Sequence, residues 1–164
     1  MMAMAKEIER KFLVRGDEWR HGSIFEHCCQ GYLITDSNCF VRICILGERA
    51  FLTIKGETEG ISRLEYEYEI PLDDAQDMLN RLCIHPLIVK RCFAILYYSE
   101  KWQIDEFLQD NEGLILAEIE LKAEDQHIHL PPWVGKEVSH DPRYYNINLT
   151  KHPYSKWRGR TRTK

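Results

Sequence analysis

Along most of the chain apolar and polar side chains alternate with a period of two, the mark of strands whose two faces meet different surroundings. Strands are predicted on this ground at 6–14, 27–35, 38–46, 50–56, 61–70, 87–98, 101–107 and 114–122. Short links rich in turn formers separate several of them, at Gly47-Glu48, Gly56 to Gly60, Ser99-Glu100 and Gln109 to Gly113, which favours antiparallel neighbours. Two segments break the alternation. Leu72–Cys83 follows Pro71, offers Asp73 and Asp74 as caps, and sets Ala75, Met78, Leu79 and Leu82 on one face, so a helix is predicted there. A second helix is predicted from Asp141-Pro142 towards Leu149, with proline at the first helical position. Eight strands with two helices predict a mainly β fold of the α+β kind, a barrel or a sandwich.

The polar faces are unusual. Residues two apart point the same way, so Glu7, Glu9 and Lys11 share a face, as do Phe40, Arg42 and Cys44. Phe51, Thr53 and Lys55 form another such set, followed by Arg63, Glu65, Glu67 and Glu69, then by Glu118, Glu120 and Lys122. Taken singly, each strand reads as half of a solvated sheet. Taken together, the recurrence of Glu-x-Glu with few neutral polar neighbours argues otherwise. Like charges side by side cost energy unless cations intervene, and clustered carboxylates raise one another's pKa. A closed barrel with a charged lumen accounts for the pattern, its outer face made apolar for the helices by Tyr66, Tyr68, Ile119 and Leu121. A divalent cation such as Mg²⁺ or Mn²⁺ would offset the acids, and phosphate oxygens would suit the Arg and Lys side chains.

Composition narrows the classes. The 164 residues carry a formal net charge of -4, which gives no bulk attraction for nucleic acid. The chain has no apolar run of about 18 residues and its charged N-terminus lacks a secretory core, so neither a membrane span nor a signal is expected. Six cysteines without a CxxC pair read as reduced thiols of a cytoplasmic protein. Residues 1–153 are expected to form one domain, as monomer or homodimer, and the basic segment 154–164 a disordered tail.

Several stretches carry a family resemblance. Glu7-Ile-Glu-Arg-Lys11 resembles the ExExK signature of the CYTH superfamily, the triphosphate tunnel metalloenzymes. The similarity continues through Gln30–Leu33, Leu52–Gly56, Arg63–Tyr68, Trp102–Phe107, Ala117–Leu121, Pro132–Val138 and Arg143–Asn146, in order along nearly the whole domain. The short bacterial proteins of the family, several of them inorganic triphosphatases, look most similar. The resemblance implies an eight-stranded antiparallel tunnel that hydrolyses a small triphosphate with Mg²⁺ or Mn²⁺. It implies Glu7, Glu9, Glu120 and Asp105 as metal ligands, and Lys11, Arg42, Lys55, Arg63, Lys90 and Lys136 on the phosphate path. Glu65, Glu67, Glu118 and Lys11 are the candidates for the chemistry itself.

Two positions depart from the family pattern. Phe40 and Cys92 stand where the subgroup usually has arginine, and by parity both face the tunnel while Arg91 points outward, unless a register change brings it in. Losing such contacts costs about 1.5–3 kcal/mol each. Other readings are a lyase of the class IV adenylate cyclase kind, forming cAMP from ATP, and a weakly active module that binds phosphorylated ligands. Blander roles are expected elsewhere: an exposed segment for His127-Ile-His129, idle thiols for Cys28-Cys29, and core or anchor packing for Trp102 and Trp133. Tyr144-Tyr145 is placed either over a tunnel mouth or in ordinary helix packing.

Overall fold

The computed structural model describes residues 5–35 and 38–157. Nine strands form one antiparallel sheet: β1 (Lys6–Val14), β2 (Phe25–Thr35), β3 (Cys39–Leu46), β4 (Arg49–Gly56), β5 (Ser62–Ile70), β6 (Ile88–Tyr97), β7 (Glu100–Phe107), β8 (Ile115–Glu120) and β9 (Val134–Glu137). Their order is β5-β4-β3-β2-β6-β7-β8-β1-β9, and β1 also pairs with β5, so the first eight strands close into a barrel. Successive parts of β1 serve three neighbours. Lys6–Ile8 pair with Leu64–Ser62 of β5, Glu9–Leu13 with Glu120–Leu116 of β8, and Phe12 and Val14 with Glu137 and Val134 of β9. All eight predicted strands are present. The ninth is not among them, because four residues behind Pro131-Pro132 are too short to show an alternation.

Helix α1 (Leu72–Arg81) starts after Pro71, with Asp73 and Asp74 in its first turn rather than capping it. There they still complement the helix dipole. The helix expected from Pro142 to Leu149 is interrupted. Pro142–Tyr144 make a 3₁₀ turn, Tyr145 is extended, and α2 spans Asn146–Lys151. A further 3₁₀ turn covers Tyr154–Lys156, and the rings of Tyr144, Tyr154 and Trp157 pack edge to face. The rest of the tail expected to be disordered, 158–164, lies outside the described residues. Among the described residues no helix is long and apolar enough to cross a membrane.

Two of the apolar cores lie outside the barrel wall, and the third, on the inward face of β6, β7 and β8, fills one end of the barrel. Ile8, Phe12, Trp102, Ile119 and Leu121 pack beneath Ile128 and Trp133 of the segment leading into β9. Ile88, Phe107, Leu116 and Leu149 bury α2, while Ile43, Ala50, Ala75 and Leu79 bury α1. Trp102 and Trp133 are core residues in a T-shaped pair 5.6 Å apart. One expectation is corrected here. Ile119 and Leu121 are covered, but Tyr66 and Tyr68 are 43% and 57% exposed, because α1 packs on β3 and β4 and leaves β5 bare.

Candidate active site

The strand alternation that puts apolar side chains outside turns the charged ones inward, around a cavity of about 650 Å³. Its wall carries Lys11, Arg42, Lys55, Arg63 and Lys90, five cations, against seven carboxylates: Glu7, Glu9, Glu57, Glu65, Glu67, Glu118 and Glu120. Adjacent strands bring acids and bases together in register. Glu7 faces Arg63, Glu9 faces Glu120, Lys11 faces Glu118, and Lys55 faces Glu65. Glu7 Oε2 accepts a hydrogen bond from Arg63 Nε at 2.8 Å and another from Lys55 Nζ at 3.3 Å. Lys55 Nζ also lies 3.0 Å from Glu65 Oε2, and Lys11 Nζ 3.2 Å from Glu118 Oε1. Glu67 accepts from Thr53 Oγ1 and stands 3.9 Å from Arg42. Among the described residues, Glu9 and Glu120 form no ion pair.

These surroundings split the proton affinities. Burial raises the Glu9 carboxyl well above the carboxylate range, and Glu118 and Glu7 push it the same way. Burial also raises Glu120, with Glu7 adding to it. For Glu118 burial is outweighed by Lys11 and Lys90, which hold it at about 2. Glu7 is likewise buried, yet Lys55 and Arg63 bring it well below the usual range. Burial and the neighbouring Arg42 lower Lys55. Glu65 is raised, chiefly by burial, against the pull of Lys55.

Most of the residues named from the sequence thus meet in one cavity, with two corrections. Asp105 does not reach the cavity. It is fully buried, its Oδ2 bound to Lys90 Nζ at 2.5 Å and its Oδ1 accepting from Gln103 at 2.8 Å, so it is the counter-ion of Lys90 and stands behind the cavity wall. Lys136 is exposed on β9 and faces a separate shallow depression, because β9 lies outside the closed ring of eight strands. Phe40 and Cys92 do line the cavity, and Arg91 points outward to Glu106 at 3.5 Å. Phe40 packs against Tyr32, with the Arg63 guanidinium 5.6 Å from its ring.

The wall also contains residues the sequence reading passed over. Gln30 and Tyr32 share the parity of Cys28 on β2, a signal that was available. Asn146 bonds Gln30 at 2.9 Å from the first turn of α2, a contact that no local pattern announces. Tyr145 lines the cavity beneath Lys11 while Tyr144 packs outward on Trp157, so the two tyrosines divide the roles foreseen for them. His127 and His129 are exposed, as expected. Cys28 and Cys44 touch in the lumen at 3.6 Å. The hydrogen bond with Cys44 lowers the Cys28 thiol, but contact with Cys92 and burial push it up to about 12, which makes it a poor nucleophile.

The donor set suits a hard divalent cation: carboxylates outnumber the cations and, among the described residues, Glu9 sits beside like charges without an ion pair. Glu7, Glu9 and Glu120 are the residues able to hold it. They are not gathered in advance, for among the described residues no three acidic, thiol or imidazole side chains already stand as a metal cluster.

A closed antiparallel barrel, acidic and basic inside and apolar outside, defines the class of tunnel proteins. The CYTH domain model matches residues 5–152, and the chain belongs to that family. It is 44% identical over 158 residues, 94% of its length and 99% of the relative's, to an inorganic triphosphatase of Acetivibrio thermocellus. To an inorganic triphosphatase of Nitrosomonas europaea it is 35% identical over 87% of its own length and 95% of the relative's. A crystal structure of an inorganic triphosphatase superposes with a TM-score of 0.64 at 32% identity, covering 92% of this chain and 95% of the other. An adenylyl-cyclase-like protein of Hippeastrum, described as having a dominant triphosphatase activity, shares the fold alone at 11% identity and a TM-score of 0.56, over 71% of this chain and 80% of the other.

Proposed function

We infer that this protein hydrolyses a small triphosphate, inorganic tripolyphosphate first of all, in its tunnel and with Mg²⁺ or Mn²⁺. The observation that carries the reading is the cavity in which five inward cations alternate with a larger number of carboxylates. Such a wall repels a polyanion until a divalent cation is added, and then fits it. A metal held by Glu7, Glu9 and Glu120 supplies neutralisation of phosphate charge and alignment of the terminal phosphoryl group. Lys11, Arg42, Lys55, Arg63 and Lys90 bind the phosphate oxygens and stabilise the charge that moves onto the leaving pyrophosphate. Glu65 and Glu67, on the β5 wall, orient the attacking water, and Glu118 keeps Lys11 in place. The cytoplasmic setting proposed with this activity rests on the thiol-rich composition, and a monomer or homodimer is proposed as its form.

The test is phosphate release from tripolyphosphate with each metal, repeated with Glu9→Gln. A rate equal to that of the parent protein ends the proposal. One observation favours a substrate with an organic group, namely the Phe40 and Tyr32 rings at the cavity wall, 5.7 Å apart. Formation of cAMP from ATP, or faster turnover of ATP than of tripolyphosphate, would put that reading first.

A further inference from the structure

Four of the five cations a triphosphate would meet in this tunnel, Lys11, Lys55, Arg63 and Lys90, are already paired with carboxylates, and so is one of the carboxylates a metal needs. Arg63 Nε and Lys55 Nζ both donate to the same oxygen, Glu7 Oε2. Glu9 and Glu120 face each other across β1 and β8 without an ion pair among the described residues, ready for a cation. Glu7 stands two residues from Glu9 on the same face of β1 and acts on both carboxyls, so what sets it apart from them is its bonding and not its place in the fold. The side chains that bind Glu7 come from β5 and β4, the two strands beyond the seam that closes the barrel.

We propose that Arg63 and Lys55 lock Glu7 against metal binding by holding its Oε2, and that a polyphosphate opens the lock by taking their N–H groups. Polyanion and divalent cation then each tighten the binding of the other. The proposal rests on the functional reading above and adds a coupling imposed by this chain's own ion pairs. A metal taken up by the Glu7 carboxylate would stand beside the two cationic side chains already on its Oε2, and with no anion between them these positive charges repel. A phosphate placed between Arg63, Lys55 and the metal reverses each of those contacts from repulsion to attraction. The two ligands are therefore linked, and the factor is the same in both directions, commonly about 5- to 150-fold.

The experiment measures Mn²⁺ binding to the chelator-stripped full chain by the electron paramagnetic resonance of free Mn²⁺, in the absence of phosphate. Arg63→Gln and Arg42→Gln each remove one positive charge from the same cavity, but only Arg63 holds Glu7. Arg63→Gln is expected to bind Mn²⁺ at least about 5-fold tighter than the parent, and Arg42→Gln to change it by less than about 2-fold. Pyrophosphate, corrected for the Mn²⁺ it holds in solution, is expected to tighten Mn²⁺ binding more in the parent than in Arg63→Gln. Equal effects of the two substitutions, or looser binding in Arg63→Gln, overturn the lock while leaving the functional reading standing. Absence of Mn²⁺ binding in the parent even with pyrophosphate overturns both. Should Arg63→Gln fail to fold by circular dichroism, Lys55→Gln removes the other donor to the same Glu7 oxygen, and an unshifted Mn²⁺ affinity in it overturns the lock.

Discussion

At Phe40 an aromatic ring occupies a place between charges: Lys55 is its register partner on β4, and the Arg63 guanidinium lies 5.6 Å from its ring. Phe40→Arg adds a donor to the phosphate wall, and a charge-assisted contact of about 1.5–3 kcal/mol corresponds to roughly tenfold or more in affinity. KM for tripolyphosphate is therefore expected to fall about tenfold. The melting temperature without ligand is expected to fall too, since the new charge sits beside Lys55 and Arg63. Steady-state kinetics and thermal melts check both signs. Lys90 and Asp105 make the opposite case, a buried pair with no solvent to share the charge. Burial lowers the proton affinity of Lys90, but Asp105 more than reverses this, so Lys90 stays charged. Asp105→Asn then strands a cation that is 2% exposed, and a loss of roughly 3–5 kcal/mol in urea unfolding is expected. Joint replacement by Met and Leu should recover much of that stability but not the activity. Parity along β3 and β6 was enough to put Phe40 and Cys92 inside. It could not separate Asp105, on the same face as Gln103, from a metal ligand, because that depends on Lys90 reaching across from β6.

Among the elements, α1 and β9 show what local pattern can and cannot deliver. The apolar face of α1 was legible, and so was its start behind Pro71; its seat was not. It lies over β3 and β4 and reaches β2 at Gly31, where a Cβ would come within 2.8 Å of Cys83 Cβ and 2.9 Å of Leu79 Cδ2. Gly31→Ala is expected to cost about 1–3 kcal/mol by overpacking, measured by denaturant unfolding with little change in KM. Strand β9 carried no alternation to read, and it is held by bonds that only the fold creates. Arg10 donates twice to Glu137, at 2.8 Å each, and Ser139 Oγ donates to the same carboxylate. The Arg10 hydrogen bond, and after it Ser139, holds the Glu137 carboxyl below its usual range. A carboxylate with a lowered folded pKa contributes stability above the unfolded value near 4.5, and that contribution is lost as pH falls through the lowered one. Amide exchange in Val134–Glu137, taken relative to the intrinsic rate at each pH, should therefore accelerate on acidification below about pH 4.5. In Glu137→Gln it should be fast already at neutral pH and vary less with acid.

For the molecule as a whole, a charged lumen with apolar cores outside it and at one end largely reverses the arrangement of a small barrel filled by its own side chains. The reversal was legible because Glu-x-Glu recurs on separate strands and an open sheet gives no reason for it. Which acid would meet which base was not, since that is decided by closure: among the described residues three register pairs join β1 to β5, and one of them is Glu7 with Arg63. That seam is the shortest of those that close the barrel, against eight pairs between β3 and β4. Exchange of its amides should be among the fastest in the wall, because few hydrogen bonds must open to expose them. Metal and polyanion would reach across this seam, since Glu7 and Glu9 belong to β1, Glu120 to β8, and Arg63 to β5. Mn²⁺ with pyrophosphate should accordingly slow exchange in β1, β5 and β8 by roughly tenfold or more, while α1 on the outside changes little. Hydrogen–deuterium exchange read by mass spectrometry reports this directly. Protection spread evenly over the chain, or centred on α1, would mean that the ligands act on global stability and not on the tunnel wall.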